Sequence, residues 1–585
     1  MILGDLSTDK LYNTLFFTHL ASSRMINTKG WASLRSVHGT HHVSIWHGLP
    51  PEVLSLVFIW GFRERQPVLN PTSTDYPDYA ELYSILLVCR YWYSTGVACS
   101  QLWDFVSSSY PPQLARLLLK RSRQTPIRVQ PVGSSNHLQV QNLETLHLIL
   151  QESRRIQYIH IMITSDVATL LKGLSIPLPL PVAKTLSVDK RVSHNWSGGQ
   201  VDEELISLKF PFHPPPYLCR LHISGYTLSD IKHLLQSRIQ NISLLLYDET
   251  TDGEYDDSPP INEILYLMKE MPLLEEVDIP TWLDNSAQPS LCPPNMVFQN
   301  LRLLKMQLNL PDASFLRHMT FAPGIRLHIS TQCHLLDGEA FNRVFGPTVV
   351  ACGLATPESS TSQIHLPQVD SFNLHQSPHW TYTVKCWLTG IPNPKMKGNP
   401  LHGSDFENSP VLELDFEYHV GIKITEIFSA VPQCIEISSI RRFNLALAPE
   451  SDPGMVEEVC RIIQRSYRMP QLHTVVASQW SLSFLYQMIW GENEPSNEEI
   501  RFPLLRSIWT PHLPPITAEE WALFESILDK ESIEVFYVWR EDFDDQSSQE
   551  QIESLQSRFS ALIIDDEKLF DFNYTWYERV GAINR

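Results

Sequence analysis

A short apolar pattern recurs through most of the 585-residue chain, and it constrains the fold more than any other feature. Apolar residues stand at positions i, i+3 and i+5, as in Ile156, Ile159 and Ile161. Further copies begin at residues 218, 239, 274, 301, 440, 472, 505 and 533, and most successive copies begin 21 to 35 residues apart. Alternating residues face one side of a strand, so each copy predicts a strand with one buried face.

Helical patterns occupy the segments between these strands, for example at residues 261–271, 455–469 and 521–528. One strand and one helix in every 20 to 35 residues is typical of stacked structural repeats. This part of the chain resembles an irregular leucine-rich-repeat-like solenoid, although the consensus asparagine of such repeats is missing. An ordinary α/β domain with short strands is the alternative that the pattern leaves open.

The N-terminal part of the chain predicts a small helical unit. Pro50 and Pro51 suit the first turn of a helix, where a missing N–H is tolerated, and Glu52 suits its positive end. An apolar stripe then extends from Val53 to Phe58. After a proline-containing loop at 63–80, a second helical pattern runs over residues 82–97 and predicts a bundle with its own core.

Three submotifs in this unit occur in the order in which an F-box has them. They are Leu49-Pro50-Pro51-Glu52-Val53-Leu54, then Leu86-Leu87-Val88-Cys89-Arg90-Tyr91-Trp92, then Leu102-Trp103. Residues 49–106 therefore resemble an F-box, lengthened by the loop at 63–80. The segment 117–127 is similar to the stretch just after the F-box in many fungal F-box proteins.

The resemblance implies a substrate-recognition subunit of a Skp–cullin–F-box ubiquitin ligase. Such a subunit binds a Skp-type adaptor, and through it a cullin scaffold, while its second domain holds a target protein. It catalyses nothing itself and acts by raising the effective concentration of a target lysine near the conjugating enzyme. The adaptor-binding candidates that the resemblance supplies are Leu49, Pro50, Pro51, Val53, Leu54, Val57, Phe58, Leu86, Val88, Cys89, Trp92, Leu102 and Trp103.

The target-binding candidates are positions that lie between the apolar residues of the recurring pattern. These positions point away from the core, and in a solenoid they line one surface. They are His222, Ser243, Asp278, Lys305, Asn444, Val476, Trp509 and Tyr537.

Composition and charge exclude several classes of protein. The chain has 45 Lys and Arg against 65 Asp and Glu, a net charge of −20 that repels nucleic-acid backbones. Its nine cysteines form no C-x-x-C pair and favour free thiols in a reducing compartment. No apolar run approaches the about 18 residues of a membrane span. With acids at Asp5 and Asp9, the start is a poor signal peptide, so we expect a cytoplasmic or nuclear protein.

Catalytic motifs are absent from the sequence. There is no P-loop, G-x-G-x-x-G, G-x-S-x-G or H-E-x-x-H pattern. The histidine-rich run at 38–47 has no cysteine or carboxylate at ligand spacing, so we expect no metal and no cofactor. Two alternatives to the ligase subunit remain: a non-catalytic scaffold whose F-box does not enter an active ligase, and an enzyme with a deep polar pocket.

The predicted fold is therefore a mixed α+β and α/β chain, a small helical F-box bundle followed by an irregular leucine-rich-repeat-like solenoid. Its predicted parts are an N-terminal extension at 1–46, the F-box domain at 47–125, solenoid at 126–352, an insertion or linker at 353–410, and continued solenoid with a tail at 411–585.

Overall fold

The structure is a computed structural model, and two compact units are distinguished in it. The first unit is Met1–Met162 with Leu180–Ala183, and the second is Ile163–Pro179 with Lys184–Arg585. The structure describes residues 49–63, 86–130, 142–174, 177–190, 208–246, 259–285, 296–322, 325–354, 369–377, 381–388, 412–446, 453–478, 485, 488, 502–510, 522, 535–539 and 562–565. The predicted extension at 1–46 and most of the predicted loop at 63–80 lie outside these residues.

The first unit combines helices with a small parallel sheet. Strand β1 pairs with β2, aligning Phe105 with Arg128, and β2 pairs with β3, aligning Ile127 with Ile156. Its elements are α1 (Pro51–Arg63), α2 (Arg90–Ala98), a 3₁₀ turn (Ser100–Trp103), β1 (Phe105–Ser107), α3 (Pro112–Ser122), β2 (Ile127–Gln130), α4 (Leu143–Gln151) and β3 (Ile156–Ile163).

Trp103 lies in the core of the first unit. Its indole N–H donates a hydrogen bond to the Gly96 carbonyl oxygen at 3.0 Å, and the Arg121 guanidinium lies 4.6 Å from the ring centroid. Next to Trp103 in the chain, the buried carboxylate of Asp104 is paired with Arg128 at 2.8 Å. A buried carboxylate is stable only when it is paired in this way, so this ion pair ties β2 to the end of the 3₁₀ turn.

The second unit is built around a long sheet with helices. Its helices are α5 (Ser165–Gly173), α6 (Leu228–Ile231), α7 (Ile261–Lys269), α8 (Gly338–Val349), α9 (Ile424–Cys434) and α10 (Pro453–Ser466). Its strands are β4 (Thr185–Lys190), β5 (Arg220–Tyr226), β6 (Asn241–Leu246), β7 (Glu276–Leu283), β8 (Met296–Phe298), β9 (Leu303–Leu308), β10 (Met319–Phe321), β11 (Arg326–Leu336), β12 (Val369–Ser377), β13 (Thr381–Leu388), β14 (Leu412–Ile422), β15 (Arg442–Ala446), β16 (Thr474–Ser478), β17 (Ser507–Thr510), β18 (Val535–Trp539) and β19 (Leu562–Asp565).

The order of these strands follows the chain except at one place. Starting at β4, the order is β4, β5, β6, β7, β9, β11, β14, β13, β12, β15, β16, β17, β18 and β19. All neighbours are parallel except at β13, which is antiparallel to both β12 and β14. Strands β8 and β10 form a separate parallel pair.

Apolar side chains from alternate strand positions form the core of the second unit. In its central part, α8 packs against β11 and β14, α9 packs beside α8, and α10 packs beside α9. Phe341 on α8 stacks near Phe416 on β14, with ring centroids 5.7 Å apart. The Tyr467 hydroxyl donates to the Phe428 carbonyl oxygen at 2.8 Å, which satisfies a fully buried polar group.

The predicted fold class is wrong. The chain forms a large, mostly parallel sheet with helices, not a helical bundle followed by a solenoid. The recurring apolar pattern specifies strands with one buried face, and such strands fit an α/β sheet as well as a repeat. The 11-residue strands β11 and β14 and the antiparallel β13 break any uniform repeat. In place of the predicted bundle, the first unit has helices together with the parallel strands β1, β2 and β3.

The second and third apolar positions of all nine copies lie in strands, namely β3, β5, β6, β7, β9, β15, β16, β17 and β18, and in every copy but the first the strand begins two residues after the copy does. Within 353–410, where composition indicates an insertion or linker, the structure has strands β12 and β13. The recurring pattern did not predict these strands. The position of an antiparallel strand depends on pairing with residues distant in the sequence, and local spacing does not show such pairing.

Gly225 allows a close approach of β4 and β5. Its φ is 78°, and a Cβ at this position would stand 2.1 Å from the Lys190 carbonyl oxygen. We expect Gly225→Ala to lower the free energy of unfolding by about 1–3 kcal/mol, since non-glycine residues are strained at positive φ. Urea unfolding followed by circular dichroism measures this change.

Gly173→Ala is the matched control, because no atom lies within 4 Å of the added Cβ at the end of α5. This substitution should leave stability unchanged or raise it by up to about 1 kcal/mol. Equal losses in the two variants would show that the close approach at Gly225 does not constrain the sheet.

Candidate functional site

Helix α1 is apolar on two faces. Leu54 and Phe58, one turn apart, are buried, and the Phe58 ring meets Trp92 on α2 edge to face with centroids 5.2 Å apart. Apolar side chains on the rest of the helix remain exposed, including Leu56 at 64% and Trp60 at 69%. A helix that is apolar nearly all round is normally covered on every side, so the exposed face is suited to a partner.

Neighbouring residues of the first unit extend this exposed apolar character. Leu87 and Val88, in the turn before α2, are each 61% exposed, and Tyr93 on α2 is 40% exposed. Helices α1 and α2 are in contact with each other. We define the apolar surface as Val53, Leu56, Val57, Trp60, Leu87, Val88 and Tyr93.

The structure divides the predicted adaptor-binding residues into three groups. Exposed residues are Pro50, Pro51, Val53, Val57 and Val88. Half-buried residues are Leu49, Cys89 and Trp92. Buried residues are Leu54, Phe58, Leu86, Leu102 and Trp103, which pack inside the unit. Leu86 packs so closely on Gly96 that an added Cβ there would lie 2.0 Å from its Cδ2 atom.

A continuous row of residues crosses the sheet of the second unit. Each member is the register partner of the next on the neighbouring strand. We call this the central row, and its members are Ser187, His222, Ser243, Asp278, Lys305, His328, Glu413, Lys385, Asn373, Asn444, Val476, Trp509, Tyr537 and Ile563.

All eight predicted target-binding residues lie in the central row. This alignment arises because equivalent positions of the recurring pattern pair in register when the strands are parallel. His222, Ser243, Asp278, Lys305 and Asn444 are half-buried. Val476, Trp509 and Tyr537 are placed in the row by backbone register.

A cluster of charged side chains occupies the middle of the central row, where β11, β14 and β13 are neighbours. His328 Nε2 lies 2.6 Å from Asp415 Oδ2, and Lys385 Nζ lies 2.6 Å from Glu413 Oε1. Thr383 donates its hydroxyl to Asp415 Oδ1 at 2.6 Å. We call these five side chains the charge cluster, and its contacts link three strands.

The histidine and the aspartate of the charge cluster stabilise each other's charged form. Burial lowers the pKa of His328, and the charge of Lys305 also lowers it. The charge and hydrogen bond of Asp415, together with the charge of Glu413, outweigh these two effects and raise the pKa. Burial raises the pKa of Asp415, but His328, Thr383 and Lys385 outweigh it and hold that pKa below its usual value. Both groups are therefore charged at mildly acidic pH, between their two ordinary pKa values.

Among the described residues, one group of histidine, cysteine and acidic side chains converges closely enough to hold a metal ion. It is His328, Glu413 and Asp415, whose ligand atoms lie within 4.8 Å of one another. These atoms are already engaged by each other, Lys385 and Thr383. A cation would have to displace the Lys385 ammonium and the histidine proton, so the geometry fits an ion-pair network better than a metal centre.

Sequence reasoning missed the charge cluster. His328 stands between Leu327 and Ile329, and Glu413 stands between Leu412 and Leu414, in the same alternation as the predicted target-binding residues. That alternation is the signal that could have found them. The partnership with Lys385 and Thr383 depends on β13 lying beside β14, and no local spacing specifies this pairing.

Comparisons with known proteins do not assign the chain to a family. No model of a known protein family matches it, and a search of curated proteins finds no significant match. Among the described residues, no helix combines the length and apolar character needed to cross a membrane.

The buried pair of His328 and Asp415 predicts a pH-dependent contribution to stability. The aspartate contribution is lost as pH falls from the usual pKa of about 3.9 through the lower folded value. The histidine contribution is lost as pH rises from the usual pKa of about 6.5 through the higher folded value. We therefore expect the destabilisation caused by Asp415→Asn, about 3–5 kcal/mol, to be largest between these two ordinary values.

Urea unfolding of the wild type and Asp415→Asn over a pH series measures this dependence. Asp278→Asn is the control, because Asp278 lies in the same row without an ion pair among the described residues. Its effect on stability should be small at every pH. A loss in Asp415→Asn that does not change with pH would contradict the charged pair.

Proposed function

We propose that the chain is a substrate-recognition subunit of a Skp–cullin–F-box type ubiquitin ligase. In this proposal the first unit binds a Skp-type adaptor, and the second unit binds a target protein. The chain carries out no bond chemistry. It holds the target near a ubiquitin-charged conjugating enzyme and so raises the effective concentration of a target lysine.

The observation that carries the proposal is the apolar surface of the first unit. Three of its seven residues, Val53, Val57 and Val88, are also adaptor-binding candidates that the F-box resemblance supplies. Removing such side chains from water is the main favourable term in protein association, at about 25 cal/mol per Å² buried. Exposed apolar side chains grouped on packed helices are typical of helix-packing interfaces.

The buried residues of the F-box motifs have a supporting role in this proposal. Leu54, Phe58, Leu86 and Trp103 pack inside the first unit and fix the orientation of α1 and α2. A partner therefore meets a preformed surface, which reduces the entropy lost on binding. We assign adaptor contact to the exposed residues and scaffold packing to the buried ones.

The target is proposed to bind along the central row. The row presents half-buried polar and charged side chains across parallel strands, in a sheet whose other alternating positions are buried and apolar. A rigid sheet presents side chains with little conformational freedom, which favours specific recognition. The proposed location of the protein is the cytoplasm or nucleus, where the adaptor and the cullin act.

Substitution at Val57 tests the adaptor interface. Val57 is 41% exposed on α1, so Val57→Asp keeps the fold but places a charge in the proposed interface. We expect it to weaken adaptor binding by at least about tenfold, because a charge buried without a partner is costly. The measurement is titration of the full chain with the Skp-type adaptor of its host by isothermal calorimetry.

Leu143→Asp is the matched control, since Leu143 is 38% exposed on a different helix, α4. It should bind the adaptor like the wild type. Absence of binding by a folded wild-type chain would reject the adaptor interface. Binding of the adaptor without assembly of a cullin complex would instead support the non-catalytic scaffold.

A further inference from the structure

The charged side chains of the central row differ in whether they have a partner. His328, Glu413 and Lys385 are engaged in the charge cluster. Asp278 on β7 and Lys305 on β9 have no ion pair among the described residues, although they are register partners on adjacent strands. Both side chains are half-buried, so each keeps part of its surface open. An anion and a cation are therefore both available to a ligand at one place in the row.

Asp278 differs from the acidic residue that precedes it on β7. Glu276, two residues earlier on β7, accepts a hydrogen bond from Asn241 at 2.7 Å. Adjacent strands are about 4.8 Å apart, so Asp278 and Lys305 present opposite charges at a short separation. In an extended segment of a partner, alternate side chains share one face and lie roughly 6.6 Å apart. Flexible charged side chains at this spacing can reach both Asp278 and Lys305.

The same half of the row also has unused hydrogen-bonding groups. The buried Oγ of Ser187 and the buried Nδ1 of His222 have no hydrogen-bond partner among the described residues. Burial lowers the pKa of His222 despite the nearby charges of Asp189 and Asp278, so its ring is neutral at physiological pH. Buried polar groups without partners are uncommon in native proteins, and they mark positions where a ligand or ordered water completes the network.

We propose that Asp278 and Lys305 bind an extended segment of a partner protein in which a basic and an acidic residue are separated by one residue. The basic side chain pairs with Asp278 and the acidic side chain pairs with Lys305. This inference rests on the proposed function only in naming the partner as a ligase target. Charge complementarity carries it, because neither side chain has an ion pair among the described residues and a partner segment with this pattern can pair with both at once.

Four pools of nine-residue peptides test this proposal on the immobilised full chain. The flanks and the single residue between the two test positions are randomised over uncharged residues. In the first pool, one test position holds a basic residue and the other an acidic residue. The second pool has a basic and a neutral residue at these positions, the third has a neutral and an acidic residue, and the fourth has two neutral residues. Retained peptide is quantified by mass spectrometry. We expect the basic and acidic pool to be retained about tenfold more than the neutral pool, in line with about 1.4 kcal/mol.

Two conservative variants separate the contacts. Asp278→Asn should lose the preference for the basic residue and keep that for the acidic one, and Lys305→Gln should do the reverse. A loss of folding would abolish both preferences together, so this split is specific to the proposed contacts. Glu276→Gln, on the same strand, is the control and should retain peptides like the wild type.

Equal retention of the four pools by the wild type would overturn the inference, as would a neutral pool that binds best. Unchanged preferences in both conservative variants would overturn it as well. Adaptor binding is measured on the same preparation. A chain that binds the adaptor without peptide preference contradicts this inference alone, and one with peptide preference but no adaptor binding contradicts the proposed function alone.

Discussion

The pairing of β11 with β14 is the constraint on which the second unit depends. Among the described strands, it is the contact through which the run from β4 to β11 continues into the run from β14 to β19. On one face, Phe341 of α8 packs near Phe416 of β14. At neighbouring positions, His328 of β11 pairs with the buried carboxylate of Asp415 on β14. Apolar packing and a buried ion pair thus fix the same register.

This junction also explains how the central row differs along its length. The charges nearest the junction neutralise each other, which links β11, β14 and β13 but leaves little capacity for a ligand. Toward β4, neighbouring strands are parallel, and Asp278 and Lys305 have no ion pair among the described residues. Under the proposed function, the structural and binding roles would therefore belong to two different parts of one row.

Much of the sheet could be predicted from the sequence, because the recurring apolar pattern is local and the last two apolar positions of each copy lie in a strand. The alignment of His222 with Ser243 and Asp278 arose from equivalent positions in that pattern. The fold class could not be predicted, since the place of β13 and β14 depends on pairing between distant residues. Nor could the pattern separate buried Leu54 from exposed Val57, because α1 is apolar on both faces.

Hydrogen–deuterium exchange of the full chain, with and without the Skp-type adaptor, shows whether the adaptor covers the apolar surface of the first unit. If the apolar surface is the adaptor interface, backbone amides within 51–60 and 87–93 exchange more slowly in the complex, while those of β7 and β9 are unchanged. Adaptor binding without slower exchange in either segment would show that the adaptor does not bind at the apolar surface.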